Sequence, residues 1–425
     1  MSTLPERSLA VWLDDTRIGR LRETGNLWAF AYDEQWLGAA EGFDLSPSLP
    51  RAAGEIVDGA SQRPVQWFFD NLLPEEGART LLARDAGIAP ADAFGLLQRY
   101  GPESAGALTL LAPGETLPAG GLQALSDEAL SARIRNLPLA PLSHDAPKRM
   151  SMAGAQHKLA VVKDRESLWE PIGRTASTHI LKPDHQQSEH YPHSVANEWF
   201  IMRLAEAVGL SVPAVEMRRV PEPVFVVRRF DRGGSGQTAR RLHVLDGCQL
   251  LSLDRAFKYE QATADTLRKL AEICRAKAAT RQSLFRWAVF NAIVGNGDAH
   301  LKNLSFFPAA EGIALAPHYD LVSTAVYAGG GWGAETLTTP MADASHLADV
   351  RRDHVLQFGQ ALGLPQSVGE RLLDRLIGAV EVHARSLLDD YQAQPAEQIE
   401  PGEARLLRQI VYGPIREMVA QLARP

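Results

Sequence analysis

The chain has 425 residues, of which 45% are hydrophobic and 22% are charged, as in an ordinary globular protein. Its formal net charge of -7 at pH 7 argues against a protein that holds nucleic acid unaided, because phosphate contacts need a local excess of Lys and Arg. The sequence has two cysteines without metal-ligand spacing, no apolar run of membrane-spanning length and no secretory signal in Met1 to Arg7. We therefore expect a cytoplasmic protein without membrane contact.

Residues 1–112 are predicted to form an α+β subdomain, because short apolar strands precede two helical patches. Gly87 follows the second helix, where a glycine commonly caps the C-terminal end. A linker rich in Pro, Ser and Ala is expected over residues 113–148. The predicted elements are strands at Leu9–Leu13, Ile18–Leu21 and Leu27–Tyr32, helices at Trp67–Pro74 and Glu75–Ala86, and a turn and strand over Gly101–Leu111.

Residues 149–232 are predicted to form a second mixed unit, and residues 233–425 a mostly helical one. Apolar residues recur at three- and four-residue spacing in the helix His193–Gly209. The run Ser283–Val294 is so apolar that we expect a central buried helix. The predicted strands are Leu159–Val162, Ser177–Lys182, Val224–Val227, Leu304–Phe307 and Ile313–Leu315.

The stretch from Gly295 to Asn303 is the most informative motif, since it places Asp298 and Asn303 five positions apart. The catalytic loop of protein kinases uses an Asp and an Asn at this spacing, the Asp as base and the Asn as a metal ligand. An Asp and an Asn at this distance also occur in ordinary turns. Two short strands that end in Asp320, which would be a second Mg²⁺ ligand, favour the catalytic loop.

Other candidate residues precede this loop in the chain. The small residues from Ser151 to Gln156 let backbone N–H groups approach phosphate oxygens, although the segment matches no standard phosphate motif and by itself is more typical of a tight turn. Lys182 ends a strand, where it either contacts nucleotide phosphates or is an ordinary exposed lysine. Glu198 on the next helix either pairs with Lys182 or lies on a solvated face. Arg228 to Phe230 would form a hinge that contacts adenine.

Within the Asp298–Asn303 loop, Lys302 is a candidate for neutralising charge on the transferring phosphate. His300 is a second candidate, although a histidine in such a loop is more often structural. The order of strand, loop, strand with lysine, helix, linking strand and Asp/Asn loop indicates an α+β, bilobal protein-kinase-like fold. Its N-terminal lobe would be mixed α/β and its C-terminal lobe mostly helical.

These motifs together resemble the HipA-type toxin kinases over essentially the whole chain. The stretches that carry the resemblance are Arg149–Lys158, Thr178–Pro183, Asn197–Phe200, Arg229–Arg232, Asp298–Asn303 and Tyr319–Leu321, with Trp67–Pro74 and Gly101–Gly106 similar to the family's N-terminal domain.

The resemblance implies an ATP- and Mg²⁺-dependent serine/threonine protein kinase, the toxin of a type II toxin–antitoxin pair. It implies a target in translation, such as an aminoacyl-tRNA synthetase, slowed growth and persistence. A helix-turn-helix antitoxin similar to HipB would be the partner and would supply most of the contact with operator DNA, with this chain as corepressor. Alternatives are a kinase-fold phosphotransferase for a small molecule and a non-catalytic corepressor module.

The family's functional residues can be carried over position by position. Asp298 would be the catalytic base, Asn303 and Asp320 the Mg²⁺ ligands, and Ser151 an autophosphorylation site that inactivates the kinase. Arg228 and His157 stand where relatives often carry other residues. The residues that would bind ATP are Ala153, Gly154, Ala155, Gln156, His157, Lys158, Lys182, Arg228, Arg229, Phe230, His300, Leu301, Lys302, Asn303, Tyr319 and Asp320.

Overall fold

The N-terminal segment builds a five-stranded antiparallel sheet, in which the last strand along the chain pairs with the first. In the computed structural model, the described residues are 5–308, 311–395 and 399–424. The strands, in sheet order, are Ile56–Val57, Leu27–Tyr32, Thr16–Thr24, Glu6–Leu13 and Leu108–Leu111. Helices Glu34–Leu37, Pro64–Asp70, Glu76–Ala86 and Ala93–Tyr100 lie within the same segment.

A second, six-stranded sheet follows. Phe225 lies opposite Lys182 where the second and third strands in sheet order pair antiparallel, which gives this lysine a fixed place on the sheet. One apolar cluster of this part of the chain joins Leu81 of helix Glu76–Ala86 to Leu159, Val161 and Leu181 of the sheet. The strands, in sheet order, are Val215–Arg219, Pro223–Arg228, His179–Pro183, Leu159–Asp164, Ser167–Ile172 and Gly121–Leu125.

The segment 113–148 is not the linker that its composition predicts. It contains strand Gly121–Leu125, which pairs along its whole length with strand Ser167–Ile172, and helix Asp127–Arg135. Ser126 caps this helix by accepting from the Ala129 N–H, and two acidic residues occupy its first turn, as helix N-termini favour. The composition misled because Pro and Ser are common at the ends of helices and strands as well as in linkers.

The described residues divide into two units. One comprises Met1–Gln186, Arg218–Arg255 and Phe306–Gly312, and the other comprises Gln187–Met217, Ala256–Ser305 and Ile313–Pro425. Residues 233–255, which the sequence assigns to the helical part, group with the first unit. Short strands and helices complete the first unit at Arg232–Gly233, Arg240–Arg241, Leu245–Asp246 and Gly247–Leu251.

The second unit is mostly helical and is organised around helix Lys277–Val294. From Leu284 to Val294 every residue of this helix except Arg286 is buried, which confirms the predicted central helix and extends its start by six residues. The other helices are Ser194–Ala207, Ala264–Ile273, Arg352–Ala361, Gln366–Gln392, Pro401–Ile410 and Arg416–Leu422, and the strands are Ala314–Leu315, Thr336–Met341 and Ala344–His346. Strand Ser305–Phe307 begins in this unit, and its last two residues group with the first.

The mixture of helices and antiparallel sheets confirms the α+β class. Over the described stretches of the chain, no helix combines the length and apolar character that crossing a bilayer requires.

We expect Glu170→Gln to destabilise the first unit. Glu170 is 1% exposed and accepts from both terminal nitrogens of Arg133, at 2.6 and 3.0 Å. The amide would leave a largely buried guanidinium without its counter-charge, at a cost of about 3 kcal/mol. Urea denaturation should show this loss, whereas Glu222→Gln, which removes the carboxylate from the exposed Arg135, should cost no more than about 1 kcal/mol. Equal losses in both variants would contradict the expectation.

Candidate active site

The predicted catalytic loop begins where the buried helix Lys277–Val294 ends. Gly295 adopts a left-handed conformation with φ of 71° and caps the helix, its N–H reaching the carbonyls of Asn291 and Ala292. A Cβ on Gly295 would lie 2.7 Å from the Cβ of Ala325, so both the conformation and the space require glycine. The position of the loop is thus set by the core helix.

Asparagine side chains carry this placement forward to Asp298. Asn291, inside the helix, accepts at Oδ1 from Asn296 Nδ2 at 2.8 Å. Asn296 Oδ1 in turn accepts from the Asp298 N–H at 3.0 Å. Both asparagines are at most 2% exposed. The backbone of Asp298 is therefore anchored to the buried helix by two consecutive hydrogen bonds, which limits its movement.

The Asp298 carboxylate is oriented by an aromatic residue that precedes it by 39 positions. Tyr259 donates its hydroxyl hydrogen to Asp298 Oδ1 at 2.7 Å. The Tyr259 ring also contacts the His300 ring edge-on, with centroids 5.0 Å apart, and Lys258 Nζ lies 4.9 Å from the same ring. This ring contact is of the kind expected of a structural histidine in such a loop.

Asn303 closes the loop on the backbone of Asp298. Its Nδ2 donates to the Asp298 carbonyl at 2.9 Å, which commits the amide nitrogen. Leu301 is fully buried and its N–H donates to the Lys258 carbonyl at 3.2 Å. The two residues at the ends of the D-to-N spacing are thus joined by a direct contact, as a single functional loop requires.

The segment that carries Asp320 is held against the same loop. Tyr319 donates its hydroxyl hydrogen to the Lys302 carbonyl at 2.7 Å, and Ser305 Oγ lies 2.9 Å from that hydroxyl oxygen. Asp320 itself has φ of 59°, a conformation that is costly for most residues but tolerated by Asp and Asn. Strain at a residue that is expected to bind metal fits the tendency of strained backbone to occur at functional sites.

Residues after Asp320 fix the segment from the other side. Asn197 makes two hydrogen bonds to the backbone of Ser323, at 2.8 and 2.9 Å. Thr324 Oγ1 accepts from the Gly297 N–H at 2.7 Å and donates to Glu335 Oε1 at 2.6 Å. A Cβ on Gly297 would lie 2.2 Å from that Glu335 oxygen. At Gly297, the loop that carries Asp298 thus lies too close to Thr324 and Glu335 to admit a side chain.

Oxygen donors are the ligands that Mg²⁺ prefers, and the Asn303 amide and the Asp320 carboxylate supply them. This donor set fits the predicted metal. In the described part of the second unit, His193, Glu400 and Glu403 form another cluster with ligand atoms within 4.8 Å of one another. Its members already contact protein groups, since His193 faces Glu400 at 3.6 Å and Tyr391 donates to Glu403.

The predicted phosphate loop belongs to the first unit. Ser151 is 2% exposed, and its Oγ is a buried atom without a hydrogen-bond partner among the residues described. Gly154 has φ of 102°, which favours glycine. Lys158 Nζ donates back to the Ala153 carbonyl at 3.0 Å, so the loop is closed by its own lysine. Ala155 at the tip is exposed.

His157 in this loop is a neutral imidazole at pH 7. Burial, and to a smaller extent the nearby His185 and Lys158 as like charges, lower its pKa to about 4. Any contact with phosphate through its ring therefore comes from a neutral N–H donor rather than from a cation.

Lys182 and Glu198 are both buried, at 5% and 3% exposure. The interpretations of Lys182 as an exposed strand-end lysine and of Glu198 as part of a solvated helix face are therefore wrong. Lys182 Nζ lies 5.6 Å from the centroid of the Phe225 ring in the opposite strand, a favourable cation–π distance. Buried charged residues are rarely incidental, because removing them from water is costly.

The predicted hinge residues divide into three environments. Arg228 is exposed at the end of its strand, and Phe230 contacts Phe307 edge-on at 6.0 Å. Arg229 is buried, and its guanidinium donates to Asp231 at 2.9 and 2.7 Å. Its N–H donates to the Thr178 carbonyl at 2.9 Å. The Arg229 side chain is thus committed to an internal ion pair.

That ion pair belongs to a buried charge cluster that sequence reasoning missed. Its centre is Glu103, which is 1% exposed. Burial by itself raises the pKa of Glu103, but four cations hold it well below its usual range. The cations around the carboxylate are Lys148 at 2.6 Å, Arg241 at 2.9 Å, Arg232 at 3.4 Å and Arg229 at 3.7 Å.

Tyr259 lies in none of the predicted motifs, and Glu103 lies in the Gly101–Gly106 stretch without any local sign of its ionic partners. Each acts on residues some 40 positions or more away in the chain, and one sequence shows no such pairing. Asn296 was detectable in principle, because it lies inside the Gly295–Asn303 stretch between two glycines.

Known proteins share both halves of this chain. Residues 9–111 match the HipA N-terminal domain, and residues 150–384 match the HipA-like C-terminal domain. Y4mE of Sinorhizobium fredii, whose name describes it as a kinase, is 38% identical over 336 residues, which is 76% of this chain and 78% of Y4mE. The serine/threonine-protein kinase toxin HipA of Shewanella oneidensis is 31% identical over 389 residues, which is 87% of this chain and 86% of that protein.

A solved structure adds the fold. The complex of Shewanella oneidensis HipA with HipB and operator DNA contains a chain that superimposes with a TM-score of 0.79, at 27% identity and over 96% of both chains. This similarity confirms the predicted kinase-like fold. With both domain matches and these relatives, the chain belongs to the HipA family of kinases.

Proposed function

We propose that this chain is an ATP- and Mg²⁺-dependent serine/threonine protein kinase and the toxin of a type II toxin–antitoxin pair. The observation that carries the proposal is the loop from Gly295 to Asn303, which side-chain hydrogen bonds hold on several sides. It holds an oriented carboxylate, Asp298, in direct backbone contact with an amide, Asn303. Phosphoryl transfer depends mostly on positioning and electrostatics. The hydrogen bonds of this loop fix the position of the Asp298 carboxylate.

Asp298 would accept the proton of the attacking hydroxyl, with Tyr259 keeping Oδ1 in place so that Oδ2 faces the substrate. Asn303 and Asp320 would bind Mg²⁺, which supplies positive charge to the β- and γ-phosphates. Lys302, 6% exposed, would add charge close to the transferring group. The bond from the γ-phosphorus to the bridging oxygen breaks as the bond to the hydroxyl oxygen forms, and ADP leaves.

The first unit would supply the contacts with ATP. Backbone N–H groups of Ala153 to His157 and the Lys158 ammonium would bind phosphate oxygens, as glycine-containing loops do elsewhere. Lys182 would contact the α- and β-phosphates. Arg228 and Phe230 would contact adenine, whereas the Arg229 side chain would act only through its internal ion pair.

The toxin role is supported by the relatives. The Shewanella oneidensis protein is named a toxin, and the similar structure contains HipB and operator DNA. By analogy, a helix-turn-helix antitoxin would bind this chain and make most of the DNA contacts, with the kinase as corepressor. The substrate would be a protein of translation such as an aminoacyl-tRNA synthetase, and its phosphorylation would slow growth and favour persistence.

Ser151 would be the site of autophosphorylation. Its hydroxyl is buried, so a phosphate with nearly two negative charges does not fit the loop as described. Modification would therefore require the loop to leave its place, and the nucleotide contacts would be lost with it.

The first prediction of this proposal concerns the base. Asp298→Asn should lower the phosphorylation rate by about 10²- to 10⁴-fold, the usual contribution of a general base, with ATP affinity nearly unchanged. Labelled ATP and Mg²⁺ with purified protein and a cell extract measure the rate. Asp265→Asn, which changes an exposed carboxylate paired only with neighbours on its own helix, serves as the control.

Expression of the chain alone in a bacterium extends this test. Growth should stop with the unmodified chain and continue with Asp298→Asn. Label on a small molecule but never on protein would instead indicate a small-molecule phosphotransferase. Unchanged growth with both chains, together with intact repression by the variant, would indicate a non-catalytic corepressor.

A second prediction separates charge from backbone at Asp320. Asn also tolerates the left-handed conformation, so Asp320→Asn removes charge while keeping φ near 59°. The Mg²⁺ concentration for half-maximal activity should rise by at least the roughly tenfold loss that weaker outer-shell changes produce. Titrating Mg²⁺ at saturating ATP checks this, with the exposed Asp349→Asn as control. An unchanged Mg²⁺ requirement would remove Asp320 from the metal site.

A third prediction concerns Ser151. Ser151→Ala removes a buried hydroxyl that has no hydrogen-bond partner among the described residues, so it should raise the free energy of unfolding by about 1 to 3 kcal/mol and leave ATP affinity nearly unchanged. Ser151→Asp places a negative charge in the loop and should weaken ATP binding by about tenfold or more, through repulsion of the phosphates. Calorimetric titration with ATP compares the two, and Ser167→Asp on an exposed strand position controls for added charge. Equal affinities in all three variants would reject the phosphate role of the loop.

A further inference from the structure

We infer that Glu103 is a positioning residue that holds the phosphate loop in place. The inference rests on the proposed role of that loop in binding ATP. Glu103 lies in the segment that matches the HipA N-terminal domain, and the loop lies in the segment that matches the C-terminal domain. The N-terminal domain would then be a structural part of the nucleotide site rather than a separate module.

Glu103 makes two hydrogen bonds to the start of the loop. Its carboxylate Oε2 accepts from Lys148 Nζ at 2.6 Å, and its backbone carbonyl accepts from the Ser151 N–H at 2.9 Å. The Lys148 and Glu103 side chains are 2% and 0% exposed. Arg149 and Met150 are therefore enclosed between two contacts with one residue, which fixes the direction in which the chain enters the loop.

A second contact from the N-terminal domain holds the middle of the loop. The Glu75 N–H donates to the Gly154 carbonyl at 3.1 Å, and Pro74 and Gly154 form a parallel bridge. Met150 and Met152 are buried in the same apolar cluster as Leu81. Because both anchors come from residues before position 112, the loop depends on that domain for its shape.

The Glu103 carboxylate also balances the cations beneath the loop. Ser177 donates to its Oε1 at 2.8 Å, and Lys148 and three arginines surround it. Asp231 is the other buried carboxylate of the cluster, so four cations face two buried anions. Without the Glu103 charge, these cations would repel one another strongly in a medium of low dielectric constant.

Two of these cations are in direct contact with the loop or adjacent to it, so their repulsion would act on it. Arg229 Nη1 contacts Met152 Sδ at 3.6 Å, and Lys148 immediately precedes the loop. A movement of either cation displaces residues on both sides of Ser151. A purely structural ion cluster would change only the stability of the unit, whereas a positioning residue changes the order of the loop as well.

The experiment compares Glu103→Gln with Glu170→Gln, another buried carboxylate of the same unit that pairs with one arginine and does not contact the loop. The first readout is tryptic cleavage after Arg149, which is exposed but held between the two contacts. The second is ATP affinity, with KM for ATP and kcat measured separately. Both are recorded at temperatures equally far below each variant's Tm.

We expect Glu103→Gln to accelerate cleavage after Arg149 and to raise KM for ATP, each by about tenfold or more, because small misplacements of binding groups have large effects. Its kcat at saturating ATP should change little. Glu170→Gln should lower Tm without either effect. Glu103→Asp keeps the charge and should lie between Glu103→Gln and the unmodified chain.

Lys148→Met is the second variant if Glu103→Gln does not fold. It removes one contact of the pair and leaves Glu103 with its three arginines, and the cleavage site at Arg149 is retained. Identical cleavage and affinity in the Glu103 and Glu170 variants would overturn the inference. Should the unmodified chain not bind ATP at all, the proposed function fails, while faster cleavage in Glu103→Gln alone would still support Glu103 as the residue that holds this loop.

Discussion

The constraint on which the site depends most is the burial of helix Lys277–Val294. Its last turn is fully enclosed, so the chain leaves it at a fixed point and in a fixed direction. Gly295 makes the turn possible, and the asparagine pair Asn291–Asn296 transmits the position to Asp298. Buried amides of this kind are costly unless every hydrogen bond is made. Here the two amides bond to each other and to the Asp298 N–H, so the backbone of the proposed base has little freedom.

The main constraint in the first unit is different: it contains a cluster of buried charged residues. Glu103, Asp231 and their cations are removed from water almost completely, and such a group is stable only while its members remain paired. The arrangement therefore contributes less to net stability than to geometry, since each partner defines where the others can lie. The chain uses segments distant in sequence for this purpose: residue 103, residue 148, and residues 229 to 241.

Sequence reasoning found the elements and motifs that have local patterns. The strand Leu27–Tyr32 has the predicted bounds, and helix Glu76–Ala86 ends at the predicted glycine. The α+β class and the kinase-like fold follow from the order of such elements, and the family resemblance is confirmed. The reasoning failed where composition misled, as in the strand and helix of segment 113–148. It also could not predict the contacts of Tyr259 and Glu103, because a single sequence gives no information on which distant residues pair.

The two functional loops differ in how firmly they are held. The Asp298 loop is fixed by side-chain hydrogen bonds from Asn296, Tyr259, Asn303 and Thr324. The Ser151 loop is held by backbone contacts and by Lys148 and Lys158 near its two ends. It contains a buried hydroxyl without a hydrogen-bond partner among the described residues, at a cost of about 1 to 3 kcal/mol. Segments with few contacts open at lower free energy than the global unfolding value. The proposed function requires this difference, because the proposed catalytic loop would stay in place while the proposed phosphate loop released Ser151 for modification.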